Sequence, residues 1–226
     1  MRSRLKLVLY SGGRDPSNKR LHRALSELAG DKKNKVFTYI PFCSDGSDTF
    51  FKRAARRYRS VGIKTFYCLP VDEPIKKSFA KSILKHSDII YLAGGNTFYF
   101  LNHLQKSGLL NELRQFALKG GVLAGLSAGA HIMTPHIGLA GFPAWEADEN
   151  EVGLKNLKAL GLVKFEFYPH YIDSLQNSEA LKEYSLRNHT TIYACGDGGG
   201  MLIKGEDTIF FGRVFIFDRG QKTKVW

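Results

Sequence analysis

Cysteine is scarce: Cys43, Cys68 and Cys195 are the only three, widely spaced, with no C-x-x-C pair and no histidine grouping that suits zinc. That pattern excludes a disulfide framework and reads as reduced thiols in a cytosolic protein. Long apolar runs are also missing. After the basic start Met1-Arg2-Ser3-Arg4, the apolar stretch ends within a few residues at Tyr10, short of the roughly 7–15 residues of a signal-peptide core. No segment approaches the roughly 18 apolar residues of a membrane helix, so a cytoplasmic protein without a membrane partner is expected. Neither G-x-G-x-x-G nor the Walker pattern occurs, which argues against a nucleotide cofactor; no cofactor and no metal are expected.

What is plentiful is positive charge. The formal net charge is +12, with 33 Lys and Arg against 21 Asp and Glu. Much of it lies in "FKRAARRYRS", where Lys52, Arg56 and Arg59 share one helical face beside Arg53 and Arg57. No recognised nucleic-acid motif accompanies these charges, so they read first as a solvated helix surface; nucleic acid is not an expected partner, and contact with it or another polyanion is the lesser alternative. A homodimer is compatible with the sequence.

At 226 residues the chain suits one core, and a single α/β domain over residues 1–226 is the expectation. Short β-rich runs, Leu5–Tyr10, Lys35–Ile40, Lys64–Leu69, Ile89–Leu92 and Val122–Leu126, alternate with segments of helical periodicity such as Leu21, Leu25 and Leu28, or Leu110, Leu113 and Ala117. Parallel strands need crossovers, so this alternation predicts a doubly wound, mostly parallel sheet with helices on both faces. The second half predicts a looser stretch from Thr134 to Glu151, a short helix near Leu154–Leu160 and a strand Val163–Tyr168. A helix near Ser178–Arg187, a strand Thr191–Cys195 of the same sheet and a small antiparallel C-terminal part follow.

In such a sheet, ligands bind beyond the carboxyl ends of the strands. Three loops qualify: Ser11-Gly12-Gly13-Arg14-Asp15, Gly94-Gly95-Asn96, and the turn at Ser127. Ser127 sits in Gly125-Leu126-Ser127-Ala128-Gly129, a G-x-S-x-G pattern in which small neighbours let a strand turn sharply into a helix and leave the hydroxyl exposed. A serine hydroxyl also needs a base. His170, at the carboxyl end of the Val163–Tyr168 run and stiffened by Pro169, lies at the same sheet edge. His131 is nearer in sequence but falls within the following helix, where it is expected to point away. Asn96 and Arg14 stand on the ligand edge as candidate substrate contacts. Arg14 could meet a carboxylate with a bidentate fork.

"LAGGNTFYFL" (Leu92–Leu101), "GLSAGA" (Gly125–Ala130) and "FYPHY" (Phe167–Tyr171), in that order, resemble the peptidase E and cyanophycinase family of serine peptidases. The resemblance runs from the first strand to about Ile203. It implies a flavodoxin-like fold related to class I glutamine amidotransferases and cleavage of peptide bonds beside aspartyl residues, with a small peptide as substrate. It implies Ser127 as nucleophile, His170 as base, and the amides of Gly95 and Ala128 as the oxyanion hole. The third member is where this sequence departs. Peptidase E has an Asp just after the elbow helix, and "HIGLAGFPAWEADEN" offers no acid at the nearest matching position, although Glu146, Asp148 and Glu149 follow. Cyanophycinase-like members take the acid after the histidine, which here points to Asp197 in "ACGDGGGMLI"; an Asp-Gly turn entering a hairpin would explain Asp197 equally well.

Overall fold

A computed structural model describes residues 4–13 and 15–225, without the side chains of Asp15 and Pro16. The expected alternation is present: β1 (Lys6–Tyr10), α1 (Asp15–Leu28), β2 (Val36–Ile40), α2 (Ser47–Arg59), β3 (Thr65–Cys68), α3 (Lys77–His86) and β4 (Ile89–Leu92) lead to α4 (Thr97–Lys106), α5 (Leu110–Leu118), β5 (Val122–Leu126) and α6 (Ala128–Ile132). Strands β3-β2-β4-β5-β1 run parallel. Antiparallel β8 (Gly200–Lys204) and β9 (Asp207–Phe211) extend that sheet beyond β1 to seven strands.

Alternation along β1 shows why both faces are covered. Leu7 and Leu9 enter a core built with α3, α4, α5 and α6, while Val8 and Tyr10 enter a second core with α1 and α2. Leu21, Leu25 and Leu28 of α1, and Ala54 and Tyr58 of α2, supply the apolar stripes of the second core.

The C-terminal half departs from expectation in three places. Strands β6 (Glu166–Tyr168) and β7 (Ile192–Cys195) do not join the main sheet. They pair in parallel within a second sheet of order β11-β10-β7-β6, with β10 (Val214–Asp218) and β11 (Gln221–Lys224) antiparallel to their neighbours. Residues 154–160 form no helix and are irregular apart from an isolated bridge between Lys158 and His136. Gly153 and Gly161 bracket them at φ 60° and 59°, which stops a helix at both ends. The backbone between them bonds to residues 132–137 instead, as in Ile137 N to Leu157 O at 3.0 Å and Leu160 N to Ile132 O at 2.9 Å. Helix α7 (Leu175–Arg187) begins earlier than expected because Ser174 caps it, its hydroxyl accepting from Asn177 N. Among the described residues no helix is long and apolar enough to cross a membrane.

Candidate active site

Strand β5 ends at Ser127, whose backbone is held at φ 49°, ψ −106°, a conformation costly for a residue with a Cβ and kept only when its surroundings impose it. Those surroundings are two glycines and a hydrogen bond. A Cβ on Gly125 would lie 2.3 Å from the Gly129 carbonyl, and one on Gly129 would lie 2.3 Å from Leu92 O. Helix α6 can therefore close directly onto β5 and β4, while Ser127 N donates to Tyr10 O at 3.0 Å. The turn holds the hydroxyl clear of the strand.

His170 follows β6 and is likewise at positive φ, 56°. Its Nε2 is 2.9 Å from Ser127 Oγ and its Nδ1 is 2.7 Å from Asp197 Oδ1. Proton placement follows from the partners: the ionised carboxylate only accepts, so Nδ1 carries the hydrogen and Nε2 is left to accept from the serine hydroxyl. Although β6 and β7 lie outside the main sheet, their parallel pairing brings their carboxyl ends together, and these ends carry His170 and Asp197.

Ser11, at the end of β1, joins the two sheets. Fully buried, its Oγ accepts from His170 N at 2.7 Å and donates to Cys195 O at 2.7 Å. Gly12 stands so near that a Cβ there would lie 2.3 Å from both Asp197 Oδ1 and His170 Cε1. Its carbonyl accepts from Gly198 N and from Asn18 Nδ2. Sequence reading singled out this loop by topology but not these two residues; their contacts reach residues about 160 and 185 positions away.

Gly95 (φ 144°) lies against the Phe42 ring, which a Cβ would strike at 2.1 Å. Neither its amide nor that of Ala128 donates to a described residue. Asn96 uses both ends of its carboxamide within the protein. Oδ1 caps α4 by accepting from Tyr99 N, and Nδ2 donates to Glu149 O at 2.8 Å. Arg14 lies outside the described residues.

The two alternative acids are bonded elsewhere. Glu146 accepts from Tyr168 Oη at 2.5 Å and Asn177 Nδ2 at 3.1 Å, and Asp148 accepts from Thr97 N at 2.8 Å. Both nevertheless line the cavity of about 300 Å³ in front of Ser127 and His170, together with Thr97, Phe142 and Ile172. Burial, and then the Glu146 carboxylate, push the Tyr168 hydroxyl well above the usual tyrosine range.

His131 also lines this cavity rather than turning away from it. Burial, and secondarily the charge of His170, lower its pKa to about 3. Because the folded value lies below the unfolded 6.5, the neutral ring favours folding above pH 6.5, and that contribution is lost as pH falls toward 3. Urea unfolding should show stability dropping by about 1.4 kcal/mol per pH unit from this group between roughly pH 6 and 4. A His131→Leu chain should show a shallower slope; equal slopes would mean that His131 is not the buried titrating group. Among the described residues no group of three His, Cys, Asp or Glu side chains is arranged to hold a metal ion.

Known proteins share this arrangement's framework. An uncharacterized peptidase of Listeria monocytogenes is 28% identical over 81% of this chain and 89% of its own length. Peptidase E of Streptomyces coelicolor is 24% identical over 96% of this chain and 88% of its own. For a probable alpha-aspartyl dipeptidase of Drosophila melanogaster the figures are 25%, 94% and 88%. Among solved structures, a candidate peptidase E protein from Listeria monocytogenes superposes with a TM-score of 0.73 at 25% identity, covering 91% of this chain and 97% of that one. A peptidase from an acI-B1 Actinobacterium, at 17% identity, shares the fold with a TM-score of 0.74 over 99% of this chain and 95% of its own. The model of peptidase family S51 matches residues 7–210, and a match that runs from within β1 to within β9 makes this chain a member of peptidase family S51.

Proposed function

We propose that the chain is a serine exopeptidase that hydrolyses small peptides with an N-terminal aspartyl residue through an acyl-enzyme. The observation that carries this reading is the unbroken line of hydrogen bonds from Asp197 through His170 to Ser127, 2.7 and 2.9 Å long. Ser127 Oγ attacks the scissile carbonyl carbon as its proton passes to His170 Nε2, and Asp197 steadies the imidazolium. The carbonyl oxygen takes up the negative charge and meets the Gly95 and Ala128 amides, which have no other described partner. Collapse breaks the C–N bond while Nε2–H protonates the leaving amine. Water, deprotonated by the same nitrogen, then releases the acid and restores Ser127.

Aspartyl specificity draws support from the peptidase E and alpha-aspartyl dipeptidase names of relatives spanning nearly the whole chain. A cavity of about 300 Å³ is at the small end of ligand sites and suits a dipeptide better than a folded protein. Arg14 is the proposed partner of the aspartyl carboxylate. A second reading, cyanophycinase-like cleavage of aspartate-backbone peptides, is favoured by the histidine-bound acid being the one after His170.

A panel of Asp-X and Ala-X dipeptides and a short aspartate-backbone oligomer carrying arginine on its side chains tests these readings. Asp-X is expected to exceed Ala-X in kcat/KM by about 10³-fold or more, since a site built for a polar group rejects a substrate that lacks it. Arg14→Ala should erase most of that preference. Equal rates on Ala-X and Asp-X would remove the aspartyl assignment, and faster cleavage of the backbone of the aspartate oligomer than of any dipeptide would replace it with the second reading.

A further inference from the structure

Helices α1 and α2 lie over the same face of the main sheet, and between them opens a cavity of about 890 Å³ that shares no lining residue with the one at Ser127. Lys19 and Arg23 line it from α1, and Arg53, Arg56 and Arg57 from α2; among the described residues Glu27 is the only carboxylate in the lining. The spacings i, i+4 on α1 and i, i+3, i+4 on α2 put each set on one side of its helix, so the two sets face each other. Lys19, Arg23, Arg53 and Arg56 form no ion pair with a described residue.

The charge on α2 alone reads as a solvated surface, but the fold separates its members. Lys52 pairs with Asp48 and Arg59 lies over the Phe66 ring, while Arg56 and Arg57 turn toward the α1 cations. A two-walled basic groove concentrates positive potential as a single exposed helix does not.

Its dimensions and side chains select among anions. From Lys19 to Glu27 along α1 is about 12 Å, a length for a short row of charges rather than a long polymer. Four of the five cations are arginines, whose planar forks match phosphate oxygens in pairs. Among the described residues no Phe, Tyr or Trp lines the groove to stack nucleic-acid bases. Over about 12 Å an extended acidic peptide spans only about four residues, fewer carboxylates than the groove has cations. We infer that the groove between α1 and α2 binds a compact oligophosphate, either the phosphate row of a nucleotide or a short inorganic polyphosphate.

Calorimetric titration of the full chain at about 150 mM salt, where long-range attraction is screened, provides the test. Probes are inorganic tripolyphosphate, ATP, hexaglutamate and a single-stranded oligonucleotide. Tripolyphosphate is expected to bind saturably at one site, and both Arg53→Gln/Arg56→Gln and Lys19→Gln/Arg23→Gln should weaken it by about ten-fold or more. Thermal midpoints and dipeptide hydrolysis in phosphate-free buffer should stay at the wild-type level, because these exposed side chains touch neither the core nor the Ser127 cavity. Tighter binding of ATP than of tripolyphosphate would assign the site to nucleotides, and equal binding to the phosphate row itself. No saturable tripolyphosphate binding, hexaglutamate binding as tight, tighter binding of the oligonucleotide, or full affinity in both double variants would each overturn the inference.

Discussion

Ser127→Ala is expected to lower kcat for an Asp-X dipeptide by about 10⁵–10⁶-fold and to abolish labelling by a fluorophosphonate probe. His170→Ala should lose about as much, and the double variant no more than either single one, because nucleophile and base act as a unit. The informative comparison is among the acids. Asp197 Oδ1 is the carboxylate oxygen bonded to His170 Nδ1, so Asp197→Asn should cost about 10⁴-fold in kcat by favouring the wrong imidazole tautomer. Glu146 and Asp148 are bonded to Tyr168, Asn177 and the Thr97 amide instead. Glu146→Gln and Asp148→Asn should therefore act mainly through substrate binding, with larger changes in KM than in kcat. Steady-state kinetics of these variants decide the matter. If Glu146→Gln cost 10⁴-fold while Asp197→Asn stayed within ten-fold, the hydrogen-bond line would not be the catalytic one.

Those assignments differ in how far the sequence alone could carry them. Ser127 is legible because the cause of its exposure is local: Gly125 and Gly129 flank it within two residues, and a strand-length apolar run precedes it. The parallel part of the main sheet is legible for a similar reason, since the period of Leu21, Leu25 and Leu28 and the bounded strand runs repeat along the chain. Strand partnership is not local. Residues of β6 and β7 suit either sheet, and what places them in the second is the pairing of β7 with β10 and, through it, β11 near the C-terminus. The 154–160 segment misleads because Leu154, Leu157 and Leu160 have helical spacing, whereas the left-handed glycines at both ends decide the outcome. Asp197 was one of several acids open to the sequence, as no rule of spacing links it to His170. The bond between them depends on where β7 ends beside β6.

Gly12 has no motif to reveal it, and its replacement gives the sharpest separation of activity from stability. In Gly12→Ala the added Cβ would meet Asp197 Oδ1 and His170 Cε1 at 2.3 Å and His170 Nδ1 at 2.5 Å. These are side-chain atoms at the protein surface, with His170 and Asp197 side chains 52% and 57% exposed. They can swing outward at small cost to the fold, but only by leaving one another. A displacement of about 1 Å in a catalytic group costs about 10²-fold, and losing the acid's hold on the imidazole as well should bring the fall in kcat to about 10³–10⁴-fold. The urea midpoint should barely move. Gly125→Ala makes the contrast, because its Cβ would meet backbone atoms of Gly129 at 2.3 Å that can shift only with α6. Overpacking of that kind costs about 1–3 kcal/mol or more, so that variant should lose stability and activity together. Fluorophosphonate labelling supplies an independent readout: in Gly12→Ala it should slow in step with kcat, since both need Ser127 activated by His170. A Gly12→Ala chain that unfolds like wild type and keeps activity within ten-fold would show that the close approach of Gly12 does not hold the His170–Asp197 pair in register.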